Sequence, residues 1–83
     1  MPHVIVKLFP GRTDQQKNEF TQRIVKAVRD TMDTEEWAVS ITFEEVTQEQ
    51  WEEKVYKPDI IAKEKLLYKK PGYEVSNGEY KRL

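Results

Sequence analysis

Two β-rich segments flanking one amphipathic helical segment predict an α/β fold, a β-α-β unit whose core is a parallel pair of strands. Residues 3–9, His-Val-Ile-Val-Lys-Leu-Phe, are β-branched and aromatic and stop at Pro10-Gly11, a strand ending in a turn. Thr13 and Gln16 have capping-box spacing, and Phe20, Ile24, Ala27, Val28, Thr31 and Met32 then recur at helical spacing, predicting a helix over 14–32. Residues 38–46 alternate, with Val39, Ile41 and Phe43 on one side and Ala38, Ser40 and Thr42 on the other, as a second strand does. A helical crossover between strands is right-handed and leaves them parallel. One crossover helix covers only one face of so small a sheet. The other face, expected to carry Pro2, is left to meet something else.

Beyond the second strand, Thr47 and Gln50 repeat the capping-box spacing before Trp51, with Val55 at i+4. Pro58 restricts Lys57 to extended geometry and is suited to open a further helix through Ile61, Lys65 and Leu66 to Tyr68, which Pro71-Gly72 ends. Residues 74–83 contain an Asn77-Gly78 turn signal and fit either a short hairpin or a mobile tail.

With 83 residues, the chain is expected to form a single domain spanning 1–83. Apolar residues make up 37% and charged residues 35%, a sparse core for a domain of this size standing alone. Cysteine is absent, so neither disulfides nor a thiolate metal site can make up the deficit, and self-association is expected to complete the sheet. Fourteen basic against fifteen acidic residues, interleaved, give a net charge of −1 and no basic stripe for nucleic acid. No apolar run approaches the roughly 20 residues that span a bilayer, and Met1-Pro2-His3 shows no basic-then-apolar signal, so a cytoplasmic location is expected.

Pro2 is the position with the most chemistry. Methionine aminopeptidase removes Met1 before a small residue such as proline, exposing a secondary amine. Such an amine is more basic than an ordinary α-amino group at about 7.7–8.0. Beside a fixed cation and away from water its ammonium form is disfavoured, which makes it a general base near neutral pH. His3, the single histidine, alternates to the face opposite Pro2 and reads as structural. Neither a second histidine nor a carboxylate cluster stands at metal-ligating spacing. Glu44-Glu45 and Glu52-Glu53 read as solvated charges.

The stretch from Pro2 through Phe9-Pro10-Gly11-Arg12-Thr13-Asp14-Gln15-Gln16-Lys17 resembles the amino terminus of the 4-oxalocrotonate tautomerase family. The resemblance extends over about residues 2–73. Lys69-Lys70-Pro71-Gly72-Tyr73 is similar to the ending of a dimeric bacterial subgroup, implying a homodimer rather than a hexamer. It further implies a cofactor-independent isomerase in which Pro2 moves a proton between the enol oxygen and a carbon of a 2-keto acid. Arg12 would hold the substrate carboxylate or keto oxygen, and Trp51 would be an apolar wall of the pocket. The family's dicarboxylate enzymes carry a second arginine where this chain has Ser40. A serine donates one hydrogen bond and cannot neutralise a second carboxylate, so a monocarboxylate such as phenylpyruvate is the implied substrate. Two other chemistries fit the same fold. A protonated Pro2 would act as an acid in water addition, as in hydratase or dehalogenase relatives, and a retained Met1 would leave a non-catalytic oligomeric binding protein.

Overall fold

The computed structural model describes residues 1–83, which fall into two compact units, Met1–Glu45 and Val46–Leu83. The first unit is the β-α-β motif: β1 (His3–Leu8), α1 (Asp14–Met32), a 3₁₀ turn over Glu36–Ala38, and β2 (Ser40–Glu45). The strands are parallel and in register from His3 opposite Ser40 to Leu8 opposite Glu45. Thr13 caps α1 as its spacing demands: its hydroxyl accepts from the Gln16 N–H at 3.1 Å, and the Gln16 side chain accepts from the Thr13 N–H at 2.8 Å. Two orphan donors of the first turn are thereby satisfied. Asp33 ends the helix in a left-handed conformation with φ of 50°.

The alternation of β1 and β2 divides the sheet into unlike faces. Val4, Val6, Ile41 and Phe43 share the α1 side, where Phe20 meets Phe43 edge-on at 5.8 Å between ring centroids. The opposite face carries His3 beside Ser40, Ile5 beside Thr42, and Lys7 beside Glu44. Ile5 is 52% exposed there, and Val28 on α1 is the only buried apolar side chain of the unit.

The second unit consists of α2 (Gln48–Trp51), a π-helical continuation over Glu52–Ile61, a 3₁₀ turn over Glu64–Leu66, and a hairpin of β3 (Tyr73–Ser76) and β4 (Glu79–Arg82). The helix does not break before Pro58, as the sequence leads one to expect. It runs through that residue with wider winding, and the Ala62 N–H donates to the Lys57 carbonyl five residues back at 2.9 Å. In α winding the proline ring would press on the carbonyl four residues earlier, and the wider turn relieves that clash while Pro58 has no N–H to leave unpaired. Only a 3₁₀ turn forms where a helix to Tyr68 is expected. Thr47 does stand at the N-cap of α2, but its side chain makes no capping bond.

Of the two readings of residues 74–83, the hairpin is the one that forms. Asn77 and Gly78 both adopt positive φ, 51° and 78°, the paired conformation that a two-residue turn requires for antiparallel strands. An aromatic cluster packs the hairpin on the helix: Tyr73 lies 5.8 Å from Tyr56 and 6.4 Å from Tyr80 between centroids. Around it Val46, Val55, Tyr56 and Val75 are buried. Polar bonds pin its edges, from Tyr80 Oη to the Gln48 carbonyl at 2.7 Å and from the Gly78 N–H to Glu52 Oε1 at 2.9 Å.

Two outcomes are expected. Thr13→Ala should lower stability by about 1 kcal/mol, read by urea denaturation at fixed protomer concentration. Burial, followed by the charges of Tyr73, Glu52 and Glu49, pushes the Tyr80 phenol above its ordinary range. Its folded value therefore exceeds the unfolded one. The stability it contributes is complete below the ordinary phenol range and is lost as pH rises through the raised value. Tyrosinate absorbance should show one late-titrating tyrosine that disappears in Tyr80→Phe.

Candidate active site

Pro2 stands immediately before β1 and is tied to the sheet through its carbonyl, which accepts from the Ser40 N–H at 3.2 Å. Its parity is that of Val4 and Val6, so strand alternation assigns it to the α1 side. The expectation that Pro2 lies on the bare face is thus overturned: the alternation that sends His3 there sends its neighbour the other way. With Met1 attached, the Pro2 nitrogen is a tertiary amide, which has neither a proton to give nor a basic lone pair.

Arg12 follows the turn at the far end of β1. Gly11 takes φ of 125°, a conformation closed to side-chain-bearing residues without strain, and this turns the chain from the strand toward the Thr13 cap. The Arg12 side chain borders a groove of about 300 Å³. Val6 and Leu8 of β1, Phe43 of β2 and Phe20 of α1 give the groove its apolar lining; Gln16 and Lys17 join Arg12 as its polar members. No ion pair or hydrogen bond engages the Arg12 guanidinium. Lys17 Nζ, by contrast, is bound to Glu45 Oε2 at 3.0 Å and lies 5.9 Å from the Phe43 ring centroid. An apolar groove with one unpaired guanidinium suits a small molecule that combines an apolar body with a carboxylate.

Ser40 sits on the other face, where its hydroxyl and His3 Nδ1 are 2.6 Å apart. Trp51 belongs to the second unit: it is half-buried, and its indole N–H donates to Tyr73 Oη at 2.9 Å. Within one protomer, then, Arg12 is not brought together with Pro2 or Ser40. Adjacent residues of a strand rise about 3.3 Å, so Val6, the groove residue nearest in sequence to Pro2, lies roughly 13 Å from it along β1. The carboxylate and the reacting carbon of a 2-keto acid are only two bonds apart. Sequence reading also missed Lys17 as a second cation lining the Arg12 groove and Glu45 as its partner; the signal was the position of Lys17 one turn after the Thr13 cap, on the side of the helix that meets β2.

A larger open cavity, about 810 Å³, adjoins the C-terminal end of α1. Asp30, Asp33, Glu35 and Glu36 outnumber Arg29 in its lining, a balance that repels a carboxylate substrate. The Asp30 carboxyl is held below its ordinary range, first by its hydrogen bond from Lys26. No three His, Asp or Glu side chains come together in a way that could hold a metal ion.

Comparison with known proteins bears on the family and the fold. A family model described as tautomerase enzyme matches residues 2–52. A probable tautomerase of Xylella fastidiosa is 38% identical over 73 residues, covering 88% of this chain and 89% of that protein. The tautomerase PptA of Cronobacter sakazakii is 33% identical over 76 residues, 90% of this chain and 100% of its own. Among solved structures, YwhB, a homologue of 4-oxalocrotonate tautomerase, aligns with a TM-score of 0.56 at 33% identity, over 58% of this chain and 79% of that one. The β-α-β unit with Pro2 and Arg12 thus lies inside the matched segment, and the chain belongs to the tautomerase family of isomerase enzymes.

Proposed function

We propose that the protein interconverts the enol and keto forms of a 2-keto monocarboxylate such as phenylpyruvate, with Pro2 as the proton-transferring base once Met1 is removed. The observation that carries this reading is the family match, which begins at Pro2 and runs one residue past Trp51. Cleavage of the Met1–Pro2 bond turns an inert amide nitrogen into a secondary amine. The amine takes the enol O–H proton. The O–H pair becomes the new C=O π bond, and the C=C pair takes a proton at carbon from the prolinium, restoring the neutral amine. The substrate's own carbonyl is the electron sink, so the reaction needs no cofactor. Arg12 binds the carboxylate and stabilises charge on the enolate oxygen, and Trp51 supplies an apolar wall. Ser40 contributes at most one neutral hydrogen bond, and a second carboxylate finds no counter-charge there.

Separation of Pro2 and Arg12 along β1 favours an assembly in which Arg12 of a second copy faces Pro2 of the first. The bare sheet face and the two unpaired strand edges favour the same conclusion. A cytoplasmic homodimer is the smallest assembly that satisfies both.

Intact mass should show a chain lacking Met1, and Pro2→Ala should lower kcat for phenylpyruvate by at least about a hundredfold. A chain retaining Met1 yet fully active would exclude Pro2 as the base. Arg12→Ala should raise KM about 10–100-fold, the loss of a charge-assisted contact. Mixing the two impaired variants, assayed at substrate concentrations below the wild-type KM, where each alone turns over little, tests the composite site. Random pairing in a symmetric dimer should restore about a quarter of wild-type activity, because each mixed dimer keeps one site with both residues intact. No recovery after demonstrated subunit exchange would put Pro2 and Arg12 of one site on the same chain.

A further inference from the structure

We propose that the Lys17–Glu45 ion pair sets the number of carboxylates the Arg12 groove accepts: Glu45 neutralises Lys17, so that Arg12 is the one unpaired cation offered to a ligand. Lys17 and Arg12 are the only charged residues lining the groove, and five positions of chain separate them. They differ in what holds them. The Lys17 ammonium is fixed from two directions, by Glu45 Oε2 at 3.0 Å and by the Phe43 ring beneath it at 5.9 Å. Its side chain is only 23% exposed against 41% for Glu45, so this pair is partly withdrawn from the water that weakens surface pairs. Nothing comparable restrains Arg12.

The elements make the pairing a consequence of register. Lys17 lies in the first turns of α1, fixed by the Thr13 cap, and its backbone N–H donates to the Thr13 carbonyl at 3.1 Å. Glu45 is the last residue of β2, paired with Leu8, the β1 residue that also lines the groove. A dicarboxylate entering the groove would have to displace Glu45 from Lys17 before its second carboxylate met a cation. A monocarboxylate needs Arg12 alone and leaves the pair intact. Lys17 and Glu45 are therefore positioning and specificity residues that act by fixing local charge, and the proposal rests on the reading of Arg12 as the carboxylate anchor.

Calorimetric titration with phenylacetate and with muconate, a mono- and a dicarboxylate that do not turn over, reads the groove without relying on catalysis. Glu45→Gln should raise the affinity for muconate relative to phenylacetate at least about tenfold, the worth of one added charge-assisted contact. The double variant Lys17→Gln/Glu45→Gln should bring the ratio back to that of wild type. An unchanged ratio in Glu45→Gln of native secondary structure and size would overturn the proposal, and so would a raised ratio that persists in the double variant. The two readings fail separately. Absence of phenylpyruvate turnover in the wild type counts against the proposed function, and undiminished phenylacetate binding in Arg12→Ala counts against the anchor; the charge rule is decided by the Glu45→Gln ratio.

Discussion

Parallel pairing of β1 with β2 is the constraint from which the rest of the first unit follows. Two strands can run parallel only if the connection returns the full length of the sheet, and here α1 makes that return, with a short 3₁₀ turn before β2. The helix spends its apolar stripe on the face bearing Val4, Val6, Ile41 and Phe43. It leaves His3, Ile5, Ser40 and Thr42 to whatever lies opposite. With a single buried apolar side chain in 45 residues, the unit has too little interior to offset the conformational entropy of ordering its chain. The partner proposed above would add the interior that this unit lacks on its own.

The same parallel geometry decides where chemistry can occur. Parallel strands gather their N-terminal ends at one edge of the sheet, so Pro2 comes to lie beside the start of β2, bonded through its carbonyl to the Ser40 amide. The C-terminal ends gather at the other edge, with Arg12, Lys17 and the end of β2 at Glu45. Pro2 and Arg12, the proposed base and carboxylate anchor, are thus held a strand's length apart by the fold that presents them. The proposed association of copies would address in one step both the uncovered sheet face and the separation of Pro2 from Arg12. The link between small size and function therefore has a geometric origin.

Signals confined to a few neighbouring residues were the ones legible in the sequence. Thr13 with Gln16 is a local bargain between side chains and the first orphan amides, and it forms as spaced; Asn77-Gly78 carries the turn conformation in its own backbone preferences. The α1 bounds and the parallel strands were readable for the same reason, since periodicity and crossover length are local quantities. What failed depended on competition or on register. Pro58 was expected to stop a helix, yet a wider winding offered the chain a way through while Val55 and Tyr56 gained burial. Trp51 was legible as an apolar residue, but not its bond to Tyr73, 22 positions away. The sidedness of Pro2 was misread although alternation alone contains it. The pairing of Lys17 with Glu45 spans 28 positions and needs the helix-to-sheet packing that sequence spacing does not encode.

Two positions now bear on how much positive charge the site offers, and they are independent of each other. At Ser40, where the family resemblance implies the place of a second arginine, this chain has a hydroxyl 2.6 Å from His3 Nδ1. At Lys17, a cation is present but its charge is matched by Glu45 at 3.0 Å. A single loss could be read as drift at one position; both together leave the Arg12 guanidinium without a competing or cooperating cation. As the proposed anchor, a lone planar fork beside Val6, Leu8, Phe20 and Phe43 would recognise one carboxylate in two-pronged contact and leave the remainder of the ligand to apolar surface. On the proposed reading, a second carboxylate on that remainder would lose hydration against the apolar lining without gaining a free cation, and that cost would be the source of discrimination.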